Sequence, residues 1–266
     1  MYPEESYPTD LTDRQWALLN RLLPAPKKRQ GGPGRPPVDL RPVVNGILYL
    51  NKTGCQWRLL PRSFGHWKTI YGYFSRWRKT DVWASVMTTL RRKERERCGH
   101  LPEPSAGSID SQSVKTVMRG DSRGYDGGKK TKGRKRHIFV DTMGLIIALV
   151  VTAADIGDRA GLKQLLEPYF SGGVQRLRKL WVDGGYSGQP LQDWVRGLKK
   201  SHKIDLEVTK RTEPGFQVIR KRWVVERTFG WLNHYRRLSK DYEVLTSSSE
   251  AMIQISMIHL LLRRLA

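Results

Sequence analysis

Cysteine occurs only twice in 266 residues, at Cys55 and Cys98, which excludes a disulfide framework and any four-thiolate zinc site. Long apolar runs are also missing: no stretch of ~18 uncharged apolar residues is present to span a bilayer. The opening residues, MYPEESYPTD, are acidic and polar, unlike a signal peptide, so the expected compartment is the cytosol. Acids are scarce beside bases: 25 Asp and Glu face 48 Lys and Arg, for a net charge of +23 and a pI near 10.3. Charge of this sign does not dictate a fold, but it selects polyanionic partners. The cations are spread along the chain rather than gathered on one amphipathic helix, which argues against a membrane surface and for nucleic acid.

What is present divides the chain in two. Nine Trp and 38% hydrophobic residues are enough for a sizeable core. Residues 1–100 read as helical. Thr12 is an expected N-cap for a helix over Asp13 to Leu23, and a second helix is expected from Leu40 to Lys52. Between them, PAPKKRQGGPGRPP is a basic Pro/Gly linker; its Gly34-Arg35-Pro36 also has the form of an arginine that enters a minor groove. After a break over Thr53 to Pro61, a third helix begins near Ser63 with Trp67, Ile70, Phe74 and Trp77 facing inward. That pattern is helix-turn-helix-like, leaving Lys68, Thr69, Arg76 and Arg78 for DNA, and reads equally as a small bundle with a solvated basic face. A charged helix, Val82 to Arg97, ends the region.

Residues 101–107 (LPEPSAG) mark a boundary, and 101–266 change period. GSIDSQSVK reads as a strand carrying Asp110 and Lys115. RGDSRGYDGGKKTKGRKR reads as a Gly/Lys-rich loop that offers Lys129, Lys130, Lys132, Arg134, Lys135 and Arg136 to phosphates. A hairpin follows with Asp141 in its turn, then a helix capped by Asp158. LRKLWVDGGYSG is an expected buried strand ending at Asp183, where layered α/β sheets place ligands. A helix, a strand and the helix of Glu226 come next, and Ser249 to Leu265 is apolar nearly all round, so buried or at a subunit interface. The sum is an α/β domain of mixed sheet and flanking helices behind an all-α region. Six His (66, 100, 137, 202, 234, 259) show no ligand spacing.

From Val218 to Tyr242 the only acids are Glu226 and Asp241, against seven Lys or Arg. The wheel puts Glu226 near Trp223 and Phe229, on an inner face, where a carboxylate must be paired or ligate a metal. The pairing reading is an ion pair with Arg222, one turn back. Trp223 and Trp231 read as core, or as platforms for a flipped base. Three converging acids repel one another by roughly 4 kcal/mol per pair at an effective dielectric of 20, so cations must compensate. Hard oxygen ligands suit Mg²⁺ or Mn²⁺, and two such ions support in-line phosphoryl displacement. On a strongly basic chain the expected substrate is a phosphodiester, and the expected class a metal-dependent nuclease or polynucleotidyl transferase.

Several segments, in order, resemble one family. SIDSQSVK, GYDGGKKTKGRKRHIFVDTMGL, LWVDGGYSG and KRWVVERTFGWLNHYRRLSKDYE are similar to DDE transposases of the insertion-sequence-five family, in the insertion-sequence-four-like superfamily. YPTDLTDRQWALLNRLLP and TGCQWRLLP resemble that family's first domain. The resemblance implies a ribonuclease-H-like catalytic domain in which the first and fourth strands are neighbours. It implies Asp110, Asp183 and Glu226 as the catalytic, metal-binding triad, holding two Mg²⁺ or Mn²⁺ ions. It also implies double-stranded DNA, both element ends and target, as substrate, in the bacterial cytosol or nucleoid, with at least a homodimer in the synaptic complex. Of the superfamily's Tyr, Arg, Glu, Lys signature, Arg222 fits the Arg, while Ile219 and Asn233 stand at the Tyr and Lys positions. Arg236, Arg237 or Lys240 are the cations available to replace that Lys. Two further readings stay open: a nuclease that cuts without strand transfer, and a DNA-binding protein descended from a transposase with lost chemistry.

Overall fold

The computed structural model describes residues 7–25, 36–171, 176–198, 203–209 and 220–266. Gly34, Arg35, His202 and Ile219 lie outside them. The chain divides into two compact units. One holds residues up to Leu90 with Tyr235–Leu238 and Ala251–Ala266; the other holds Arg91–His234 with Ser239–Glu250. No helix of the described residues is long and apolar enough to cross a membrane.

The first unit is helical. Thr12 closes a reciprocal cap on α1 (Asp13–Asn20), accepting from the Gln15 N–H while the Gln15 side chain accepts from its own N–H. The helix stops three residues short of the expected Leu23. Asp39 caps α2 (Leu40–Thr53), which ends at Gly54 with φ 75°, the left-handed geometry that favours glycine. A short 3-10 turn, Trp57–Leu59, lies in the expected break, and a second, Arg62–Phe64, occupies the expected start of the third helix, which begins at Trp67 rather than near Ser63. In α3 (Trp67–Lys79), Ile70, Phe74 and Trp77 are buried as expected, whereas Trp67 is half-exposed. The helix α4 (Val82–Arg97) has the expected bounds. The later turns of the last helix (Thr246–Leu265) belong to this unit: Asn51, fully buried on α2, donates to Met252 O at 3.1 Å and Ser256 Oγ at 2.8 Å. That helix is buried along Met252, Ile255, Ile258 and Leu262, which settles its apolar character as core.

The second unit is a six-stranded mixed sheet with helices. Its strands are β1 (Ala106–Lys115), β2 (Gly124–Asp126), β3 (Thr131–Asp141), β4 (Ile146–Ala153), β5 (Lys179–Val182) and β6 (Asp205–Val208); its helices include α5 (Asp158–Ser171), α6 (Gln189–Gly197) and α7 (Arg220–Asn233). The central path runs β3-β1-β5-β6, with β2 and β4 both on the outer edge of β3. Pairing is antiparallel among β1, β3, β2 and β4, and parallel among β1, β5 and β6. The Gly/Lys-rich stretch expected as a loop is therefore a hairpin, and Asp183 follows the fifth strand rather than the fourth. The core includes Ile109, Phe139, Leu162, Leu166, Leu180, Val182, Val195 and Leu206. At the β3–β4 turn, Asp141 accepts from the Met143 and Leu145 N–H groups, both at 2.9 Å, as a turn residue should. It is also fully buried and ion-paired with Arg95 at 2.5 Å, a partner no local pattern reveals.

Candidate active site

Register brings two of the predicted acids together. β1 and β5 pair in parallel with Gly107 opposite Leu180 and Ser108 opposite Trp181, so the continuation sets Ile109 beside Val182 and Asp110 beside Asp183. Ile109 and Val182 both enter the hydrophobic core, and strand side chains alternate, so both carboxylates project from the other face of the sheet. On that face α7 packs against β1, β3 and β5. Asp183 also caps the turn Gly184–Tyr186, accepting from the Gly185 N–H at 2.9 Å.

Burial raises the Asp110 carboxyl to about 6, and the Asp183 charge adds to the rise; a hydrogen bond from the Ser111 N–H at 2.7 Å and the cations Lys129 and Arg222 oppose it. A buried carboxylate with a second carboxylate beside it and so little compensation forms an incomplete charge balance, which a hard divalent cation would fill.

A further carboxylate, Asp158, lies near Asp183, tied to Ser111 on the sheet face opposite the Asp110 side chain. Expected only to cap α5, it opens that helix, with its Oδ1 accepting from Ser111 Oγ at 2.8 Å and lying 3.3 Å from Lys135 Nζ. A Cβ added at Gly185 would stand 3.1 Å from Asp183 Oδ1 and 3.3 Å from Asp158 Oδ2, so both carboxylates crowd one glycine. The buried Tyr186 hydroxyl is pushed well above its ordinary range, first by burial and then by Asp110, Asp158 and Asp183. The signal in the sequence was present but weak, an Asp in IGDRAG that any helix start would also explain.

Glu226 is placed differently from its expectation. The buried stripe of α7 is Val225, Thr228, Phe229 and Leu232; Glu226 falls one residue beyond Val225 and its side chain is 52% exposed. Trp223, expected inside, is also exposed. The reason is that Thr228 and Arg227 tie the helix to the β3–β4 turn, donating to Gly144 O at 2.7 Å and Met143 O at 2.9 Å. That fixes the helix rotation with its polar stripe outward. Trp223 and Trp231 sandwich the Arg227 guanidinium at 4.7 and 4.8 Å. The Glu226 carboxylate lies 3.6 Å from Arg222, whose charge also acts on Asp110. Among the described residues no group of three His, Cys, Asp or Glu is arranged to hold a metal ion. The donor chemistry of Asp110 and Asp183 fits a hard cation; Glu226 is turned to Arg222 instead.

The expected DNA-facing cations divide as well. Lys115, Lys129, Lys130 and Lys132 are exposed around the β2–β3 hairpin, and Lys129 Nζ donates to Ser111 O at 3.1 Å. Arg134, Lys135 and Arg136 are buried, because the strand they occupy is paired on both edges and acids meet them on both faces. Arg134 faces Asp241 and Asp121, Lys135 faces Asp126 and Asp158, and Arg136 donates to Lys240 O. In the helical unit Lys68, Thr69 and Arg76 are exposed and Arg78 is half-buried; Lys79, not expected, is exposed in the same outward row. Arg236 and Lys240 are exposed, and Arg237 is buried, donating to Cys55 O at 3.3 Å.

Comparison with known proteins bears on both units. The sequence model described as "Transposase DDE domain" matches residues 101–261, and that described as "Putative transposase of IS4/5 family" matches residues 11–87. An insertion element IS402 protein of 16.2 kDa from Burkholderia cepacia is 34% identical over 117 residues, covering 43% of this chain and 78% of that protein. The "Putative transposase for insertion sequence element IS402" of the same organism is 34% identical over 117 residues, covering 42% of this chain and 54% of its own length. The protein y4sN of Sinorhizobium fredii (strain NBRC 101917 / NGR234) is 25% identical over 83 residues, covering 31% of this chain and 64% of its own length. No solved structure matches.

Proposed function

The chain belongs to the DDE transposases of the IS4/5 family, and on that premise we propose that it binds the terminal inverted repeats of an insertion sequence, cleaves DNA there and joins the freed strand to a target. The observation that supports this reading is the β1–β5 register, whose continuation sets Asp110 beside Asp183. The strand order β4-β3-β1-β5-β6, antiparallel on one side and parallel on the other, supports a ribonuclease-H-like fold.

In this reading Asp110 and Asp183 hold Mg²⁺ or Mn²⁺, two ions in all, and Glu226 completes the set. The bound ions supply activation of a water or 3′-hydroxyl and charge neutralisation at the leaving oxygen. Glu226 now pairs with Arg222; an incoming phosphate would compete for that guanidinium and free the carboxylate. Asp158, tied to Ser111 and Lys135, keeps β1 and the Asp183 turn in register. Asp158→Asn is expected to slow cleavage by ~10–100-fold, as loss of an outer partner does at metal sites, while duplex affinity stays within about twofold. Cleavage and joining of two ends need two active sites, so the working form is a dimer or larger.

Salt dependence tests the DNA reading. If the exposed cations meet six to ten phosphates, affinity for a duplex falls by about 10³–10⁵ between 50 and 200 mM salt. An affinity flat across that range would remove DNA as the purpose of the charge.

A further inference from the structure

Five glycines lie within described helices, and three have a reason inside the chain. A Cβ at Gly46 would press on Ile70 and Phe64 at 3.1 Å, one at Gly161 would collide with the His137 ring, and Gly197 is the last residue of α6. Gly230 stands on the outward face of α7, one turn after Glu226, and belongs to the site above. Gly72 has no such place. It sits in the middle of α3, and a Cβ there would meet nothing within 4 Å. Glycine is the poorest helix-interior residue after proline, so the helix is weakened where packing demands nothing. A bare main chain on an outward face is what the close approach of another surface requires.

The neighbours say which surface. Ile70, Phe74 and Trp77 define the buried side of α3; Gly72 lies opposite, in the row of Lys68, Ser75, Arg76 and Lys79. Lys68, Arg76 and Lys79 are exposed, and none forms an ion pair among the described residues. From Leu40 to Thr80 the chain carries eight Lys or Arg and neither Asp nor Glu. A shallow hollow of about 440 Å³ opens here between Tyr71, Gly72, Arg76 and Lys79. Lined by no acid, cationic and concave, this surface complements a polyanion.

We propose that a DNA duplex seats on this face of α3 and comes against the main chain at Gly72, with Lys68, Arg76 and Lys79 holding the flanking phosphates. The inference rests on the DNA-binding reading above and adds the point of closest approach, which no charged residue marks.

The test compares full-length wild type with Gly72→Ala and Gly72→Leu, measuring thermal unfolding and affinity for a short mixed-sequence duplex. Both replacements are better helix formers, so Tm is expected to hold or rise. Affinity is expected to fall by about tenfold for Ala and by about a hundredfold for Leu, the range of losing one to two good contacts. Lys79→Ala should weaken binding to all duplexes alike and reduce the salt slope by about one. Wild-type affinity in both Gly72 variants overturns the proposal. So does a lowered Tm in Gly72→Ala, which would mean the chain itself needs the bare position. Failure of the wild type to bind any duplex overturns the DNA reading and this inference with it.

Discussion

Asp110→Asn is expected to abolish DNA cleavage and at the same time make the metal-free protein more stable at neutral pH. The carboxyl titrates at about 6 in the fold against an ordinary 3.8, so between those values the folded chain binds more protons than the unfolded one. Stability therefore falls as pH rises through that window, and above it the penalty is complete. Asn removes the charge and keeps the shape. The relief is about 1–3 kcal/mol, allowing for the partial solvent access of the group. Loss of chemistry should be at least ~10³-fold, because a missing ligand charge leaves the leaving oxygen without its full stabilisation. Mg²⁺ is expected to raise the Tm of the wild type, and the same variant should lose that rise. A variant that is less stable than wild type at pH 8, without metal, would show that Asp110 serves the fold and not the site.

Arg134→Ala should have the opposite signature, a large loss of stability. Its guanidinium is fully buried and meets Asp241, itself fully buried, at 3.2 Å. It also donates to Ser122 O, Glu243 O and Val244 O, fastening β3 to the segment before the last helix. Removing one partner of a buried pair strands the other, at a cost of about 3–5 kcal/mol. For a chain of this size that is a fall in Tm of roughly 10 °C. Lys132→Ala, two residues before Arg134 on β3 and exposed opposite Tyr125 of β2, should leave Tm unchanged and reduce the salt slope of duplex binding by about one. If Arg134→Ala unfolds at the wild-type temperature and only the salt slope changes, the arginine is a phosphate ligand after all.

These two residues mark how far the sequence could be read. Local physics was legible: the Thr12 cap, the span of Val82–Arg97, the turn at Asp141 and the strands of Asp110 and Asp183 follow from spacing and side-chain chemistry alone. The run Arg134-Lys135-Arg136 was not, because a charge run normally marks a solvated face. Its partners Asp126, Asp158 and Asp241 are distant enough in sequence that only the sheet reveals them. Glu226 misled for a different reason. Large aromatics at Trp223 and Trp231 pull the wheel toward their own side, yet they stack on Arg227 near the surface while Val225, Thr228 and Leu232 face the sheet. Asp158 was read as a cap because a helix start explains an Asp without further partners. Gly72 was silent, since the pattern of a helix does not register what is missing from its outer face.

The sharpest test of the triad uses purified protein, Mg²⁺ and a plasmid carrying the element's ends, comparing Glu226→Gln with wild type and Asp158→Asn by mapping strand breaks. The account predicts breaks at the ends for the wild type, fewer but correctly placed breaks for Asp158→Asn, and none for Glu226→Gln, although that variant still binds the ends. Cleavage by Glu226→Gln at the wild-type rate, with Asp158→Asn inert, would contradict it and move the third carboxylate of the site from α7 to α5.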